Sequence, residues 1–227
     1  MVVHKNYFRY FTCLLDRGHI KVLIDFCFFY FLKGKLCYNE LYFDIEIRLF
    51  GVKEMKQLET YITSIPNYPK EGIIFRDLTS LVEDRDGFKL AIDKMAEVLS
   101  GMNCDVICGI ESRGFVFGAP LAYLLNKPFV MARKAGKLPR ERISESYALE
   151  YGVSELEMHL DSLRPEEKVI IIDDLLATGG TAKACARLIE RIGGRVEGFV
   201  FLSELDGLEG RNILKNYRVE SIIHFED

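Results

Sequence analysis

The chain has 227 residues, 49% of them apolar, and a formal net charge of −4. That supports one moderate domain with a proper core, with or without an appendage. The mild acidity gives no electrostatic case for nucleic acid or an anionic membrane as partner. Cys13, Cys27, Cys37, Cys104, Cys108 and Cys185 form no C-x2-C pair, and nothing near Cys104 and Cys108 completes a zinc set. Cys108 and Cys185 stand in apolar runs and read as core thiols of a reducing cytosol, so a cytoplasmic protein is expected.

Residues 1–54 differ from the rest. They hold 13 of the 27 Phe and Tyr residues, with no sustained helical or strand period. The apolar block in "IKVLIDFCFFYFLKGK" is interrupted by Lys21 and Asp25. It falls short of the roughly 20 residues that span a bilayer. No small-residue cleavage site follows it, as a signal peptide would need. The expectation is an atypical extension over 1–54, poorly ordered or translated from an upstream start. A membrane or interfacial anchor and a regulatory segment are the rivals. Met55 opens an ordinary soluble domain over 55–227.

From Met55 onward apolar periodicity alternates between two types. "MKQLETYITSI" predicts an amphipathic helix ended by Pro66 and Pro69. "DGFKLAIDKMAEVLSGM" predicts a second helix stopping near Gly101. "DVICGI" predicts a strand, "GFVFGAPLAYLLN" a helix and "PFVMA" another strand. The polar run "RKAGKLPRERISESYALEYG" has little apolar period and reads as a long loop, either solvated or a lid. "KVIIID" is the clearest strand, "TAKACARLIERIGG" a helix, and "RVEGFVFL" and "VESIIHF" further strands. The class is α/β: a mostly parallel twisted sheet flanked by helices. Such sheets bind ligands at the carboxyl ends of their strands.

One of those ends is "VIIIDDLLATGGTA", Val169 to Ala182. An apolar strand runs into Asp173 and Asp174, then into a glycine turn and a helix. No G-x-x-x-x-G-K-[ST] or G-x-G-x-x-G occurs, so nucleotide triphosphatase and dinucleotide folds lose their phosphate loops. Gly179 and Gly180 bare backbone N–H groups, Thr178 and Thr181 add hydroxyls, and the helix points its positive end inward. That makes a phosphate cup. The aspartates cannot favour the same phosphate and must face sugar hydroxyls or a cation. The bland alternative is a turn whose aspartates only cap the helix.

The stretch resembles the phosphoribosyl pyrophosphate signature of type I phosphoribosyltransferases. "PNYPKEGIIFRDLTSLV", "GIESRGFVFGAPLA", the polar run and "ELEMH" resemble the adenine phosphoribosyltransferases, in the same order, over about Met55 to Asp227. The resemblance implies a type I fold with a small hood and a flexible lid loop. It implies that Asp173 and Asp174 hold the ribose hydroxyls and that Ala177, Thr178, Gly179, Gly180 and Thr181 hold the 5′-phosphate. Ser112 and Arg113 become a pyrophosphate loop with a cis Glu111–Ser112 peptide, Arg113 counting among the catalytic residues. Arg133, Lys134 and Lys137 join it from the lid, with Arg140 and Arg142 weaker members. Ile74, Phe75, Arg76, Leu175 and Tyr151 become the adenine slot, with Phe75 stacking on the base. Glu150 becomes the acid/base beside N7.

The implied reaction joins adenine to 5-phospho-α-ribosyl pyrophosphate, giving AMP and pyrophosphate. Mg²⁺ is expected, carried mainly by the donor's pyrophosphate, with no firm protein metal ligand. The expected partners are the two small substrates and a second copy in a homodimer, with no nucleic acid and no membrane. Two rivals stand: the same chemistry on hypoxanthine, guanine, xanthine or orotate, and a non-catalytic nucleotide sensor. Nothing in residues 1–54 reads as the DNA-binding module such a sensor would carry.

Overall fold

A computed structural model describes residues 12–16, 19–23, 57–148 and 152–226. The chain forms two compact units, Met1–Gly51 and Val52–Asp227. In the first, β1 (Thr12–Asp16) and β2 (His19–Leu23) pair antiparallel, a hairpin that the aromatic-rich sequence did not announce.

The second unit opens differently from expectation. In place of a helix up to Pro66, a single 3₁₀ turn covers Leu58–Tyr61 and is followed by β3 (Thr63–Pro66). The run Ile62, Thr63, Ile65 is rich in β-branched residues that favour an extended chain. Its partner is β4 (Ile74–Asp77), with Ile65 opposite Phe75. Next come α1 (Thr79–Glu83) and α2 (Arg85–Ser100), the latter buried along Ala91, Met95 and Leu99. The predicted alternation then follows: β5 (Val106–Ile110), α3 (Arg113–Leu124) and β6 (Phe129–Lys134).

The polar run only partly remains a loop. Residues 135–141 are irregular, but β7 (Arg142–Ala148) is a strand paired antiparallel with β8 (Val153–His159). Ile143 and Tyr147 pack on the core, and Glu145 between them breaks the apolar alternation. The Glu145 carboxylate is met by Arg187 and Arg191, each at 3.0 Å. Both come from α4 (Gly180–Arg191), which follows β9 (Lys168–Leu176). The chain closes with β10 (Arg195–Leu205), α5 (Gly210–Ile213) and β11 (Val219–Phe225).

Seven strands form one sheet in the order β11-β10-β9-β5-β6-β8-β7. The first five are mutually parallel, and β8 and β7 add an antiparallel edge. One apolar cluster joins α4 to Val169, Ile171, Cys108 and Phe199. Another joins α2 and α3 to Ile170, Ile172, Ile107 and Val200. Helices thus cover both faces. Among the described residues, no helix is long and apolar enough to cross a membrane.

Candidate active site

From β5 the chain passes through α3 to β6 on one side, and from β9 it passes through α4 to β10 on the other. The carboxyl ends of β5 and β9 therefore flank a topological switch point, where open α/β sheets leave a crevice. Asp173 and Asp174 lie inside β9, which continues to Leu176. The two residues are neighbours near the end of the strand, and their carboxyl groups interact directly. Asp174 is buried and its Oδ2 lies 2.7 Å from Arg113 Nε. The contact is an ion pair without the alignment of a hydrogen bond. Asp173 Oδ1 accepts from the backbone N–H of Asp174 at 3.0 Å.

Burial, and then the charge of Asp174, push the Asp173 carboxyl well above the usual carboxylate range. Burial also raises Asp174, although Arg113 pulls the other way. The pair gives up its protons later than free carboxylates do. It is held in a place that favours partners with hydroxyls or positive charge.

Two helix N-termini open beside the pair. Gly179 is the N-cap of α4, in the left-handed region at φ 79°, and makes no side-chain cap hydrogen bond. Ser112 precedes α3, again with no side-chain cap. In contrast, α2 is closed by Asp84, which accepts from the N–H groups of Asp86 and Gly87 at 2.9 Å. In α3 the Phe115 N–H donates to Ser112 O at 3.2 Å, and the remaining first-turn N–H groups of α3 and α4 are without a side-chain cap and suit an anionic ligand. The Glu111–Ser112 peptide is cis. Gly114 lets α3 begin directly on β9: a Cβ there would come within 2.7 Å of Ile172 O and 3.0 Å of Asp173 Oδ1.

The cationic residues expected on the pyrophosphate side gather on Glu111. Its carboxylate accepts from Arg133 Nε at 3.2 Å and from the N–H of Lys134 at 2.9 Å. Burial raises the Glu111 carboxyl, but these hydrogen bonds outweigh it and the net shift is downward. Arg133 Nη1 also donates to Lys137 O at 3.3 Å, which folds the loop start back on itself. Lys134 and Lys137 are exposed. Arg140 pairs with Asp161, and Arg142 with the buried Glu157, 3.0 Å away. Both ion pairs lie at the edge hairpin of β7 and β8.

Three of the residues expected to form the adenine slot, Ile74, Phe75 and Arg76, lie on the β3–β4 hairpin. Ile74 is 43% exposed, and Phe75 is half-buried with its ring edge-on to Tyr68 at 5.3 Å. Phe75 is therefore not a core residue. Arg76 donates to Ser64 Oγ at 2.6 Å, and its guanidinium lies 4.5 Å above the Phe225 ring, bracing the hairpin against β11. Asp77, which ends β4, is held below the usual range by Thr79 side-chain and backbone hydrogen bonds, with a smaller pull from the Arg113 charge. Arg113 is thus within electrostatic reach of both the hairpin and Asp174. Leu175 is half-buried beside Asp174, and Thr178 is exposed beyond it. Glu150 and Tyr151 lie outside the described residues.

Sequence reasoning missed Glu111 as the organiser of the cationic group, since a lone glutamate before a serine carries no signal. It also missed Gly114, although a glycine one residue into a helix facing a strand is a readable sign of close packing.

Residues 79–224 match the family model of the phosphoribosyl transferase domain. An adenine phosphoribosyltransferase of Agathobacter rectalis is 55% identical over 172 residues, 76% of this chain and 99% of that protein. The chain belongs to the adenine phosphoribosyltransferase family. Its fold matches the crystal structure of the Thermoanaerobacter pseudethanolicus member with a TM-score of 0.72 and 46% identity, covering 75% of this chain and 99% of that one. The Saccharomyces cerevisiae enzyme, complexed with an imino-altritol bisphosphate and adenine, matches with a TM-score of 0.68 and 38% identity over 73% of this chain and 96% of that one.

Proposed function

We propose that the chain transfers the 5-phosphoribosyl group of phosphoribosyl pyrophosphate to N9 of adenine, giving AMP and pyrophosphate in purine salvage. The observation that carries this reading is the pair of uncapped helix N-termini on either side of Asp173 and Asp174 at the switch point. A donor with a phosphate at one end, a pyrophosphate at the other and ribose hydroxyls between them matches that order of charges.

Asp173 and Asp174 take the ribose hydroxyls, and their negative charge favours the positive ribosyl carbon of an oxocarbenium-like transition state. The 5′-phosphate sits on Ala177, Thr178, Gly179, Gly180 and Thr181. Ser112 and Arg113 hold the pyrophosphate, with Arg133, Lys134 and Lys137 closing over it and excluding water. Arg113 then exchanges Asp174 for the donor's oxygens. Phe75 stacks on adenine, Leu175 covers the other face, and Ile74, Arg76 and Tyr151 complete the slot. Glu150 exchanges the proton at N7.

The donor set around the pair is oxygen-rich, which suits Mg²⁺, and Arg113 on Asp174 leaves little room for a protein cage. Asp173 and Asp174 would face Mg²⁺ chiefly through the substrate's oxygens. When bound, the ion supplies neutralisation of the leaving pyrophosphate. The catalytic domain is residues 55–227, a reading supported by the near-complete coverage of relatives by three quarters of this chain. A cytoplasmic homodimer is the working form. Val116 and Tyr123, seven residues apart on one side of α3, leave an unpartnered apolar face, with Tyr123 90% exposed.

Pyrophosphate release measured with adenine, hypoxanthine, guanine, xanthine and orotate tests the assignment. Adenine alone should support fast release. Turnover on another base with none on adenine would overturn the specificity, and binding without turnover on any base would favour a sensor.

A further inference from the structure

We infer that the turn Gly210–Ile213 and the ion pair behind it hold the phosphate loop in shape, making Gly210 and Arg211 positioning residues for the donor's 5′-phosphate. The inference rests on the reading of Ala177–Thr181 as the 5′-phosphate site.

The two segments meet backbone to backbone. A Cβ on Gly210 would lie 2.1 Å from Ala177 O and 2.9 Å from Leu176 Cδ1. A Cβ on Gly179 would lie 2.7 Å from Gly210 O and 2.5 Å from Ile213 Cγ2. Ile213 could turn aside, but the carbonyl groups could not. The shape of the phosphate loop is therefore set from behind by where the Gly210 turn stands.

That turn is held in place by charge. Arg211 Nε donates to both oxygens of Glu204, at 2.8 and 2.9 Å, and Nη1 donates to Val219 O at 2.9 Å. Ser221 Oγ donates to Glu204 Oε2 at 2.7 Å. Glu204 is buried on β10, directly opposite Leu176 of β9 in the parallel register. The contacts close a ring: Leu176, Glu204, Arg211, Gly210, Ala177. Ser203 extends it by donating to Asp174 O at 2.9 Å.

The Glu204 side chain is 4% exposed and that of Arg211 45% exposed, so the pair joins a buried carboxylate to a half-exposed guanidinium. Charge-assisted hydrogen bonds to a buried carboxylate are directional and fix one geometry. Asp206 and His224 also lie near Glu204, a grouping that could suggest a cation. The guanidinium already fork-bonded to Glu204 disfavours one there. What the ring fixes is the place of a loop whose N–H groups must all point at one phosphate. A misplacement of about 1 Å at such a site can cost on the order of 10²-fold.

Titration calorimetry of the full chain with AMP and with adenosine, which differ only by the 5′-phosphate, tests the inference. The wild-type protein should prefer AMP. Gly210→Ala should lose about 10- to 100-fold in AMP affinity while adenosine stays within about twofold. Arg211→Lys keeps the charge but not the fork, and should move AMP affinity the same way by less; it carries the test if Gly210→Ala does not fold. A wild-type protein that binds AMP no better than adenosine would refute the phosphate-loop reading itself. A wild-type preference for AMP that the variants retain, or an equal loss of both ligands, would overturn the positioning role.

Discussion

The donor half and the acceptor half of the site are built in opposite ways. The donor half is the end of β9 and the start of α4. It lies between two apolar clusters, and its key positions, Asp174 and Gly179, are buried. The acceptor half is the β3–β4 hairpin, exposed along most of its length, with Phe75 half-buried at its centre. The contrast teaches where each kind of recognition belongs. The group transferred is the same in every turnover, and the site proposed for it consists of backbone and carboxylates locked in place by their neighbours. On the proposed assignment, the choice of base falls mainly to side chains of a lightly packed hairpin, which can change without disturbing the core.

Substitutions should separate the halves. Asp174→Asn leaves Arg113 without its counter-charge and removes one of the two carboxylates proposed to face the ribosyl carbon. Its turnover should fall on the order of 10²- to 10³-fold in steady-state kinetics, while the adenine KM moves little. Phe75→Ala should do the reverse, raising the adenine KM on the order of 10-fold and leaving the donor KM nearly unchanged. If both changes fell on the same kinetic constant, the division into halves would be wrong.

Asp173→Asn should sharpen the comparison through stability. Burial and the Asp174 charge raise the native Asp173 carboxyl, so the folded state holds its proton more tightly than the unfolded chain does. Stability therefore falls as pH rises from the ordinary aspartate value, 3.8, towards the higher native one, and stays reduced above it. Removing the charge should raise the Tm at neutral pH, by roughly 2–4 °C per kcal/mol gained. It should flatten that part of the pH profile and lower turnover. A Tm that drops at neutral pH would contradict the sign. The smallest effect expected is that of deleting residues 1–54. A chain beginning at Met55 should keep turnover within about twofold, since three quarters of this chain already covers nearly the whole of an adenine phosphoribosyltransferase.

Legibility in the sequence followed the same division. The strand, the acidic pair, the glycine turn and α4 could be read directly because each is local and consistent with its neighbours. The hairpins could not. The β3 segment carries helix-like spacing, and its β-branched residues together with its pairing with β4, about ten residues on, make it a strand. The β7 segment looks polar because Glu145 faces α4, and the arginines that neutralise it stand some forty residues later. Glu111 and Ser203 act through partners distant in the chain, and Arg211 through the side-by-side placement of β10 and β11, so no local pattern marks them.

The most direct test of the central claim is a crystal structure of the protein with AMP bound. The account predicts the 5′-phosphate on the N–H groups of Ala177 to Thr181 and the ribose hydroxyls on Asp173 and Asp174. Adenine should lie between Phe75 and Leu175. A phosphate seated elsewhere, or a ribose that leaves the two aspartates untouched, would contradict it.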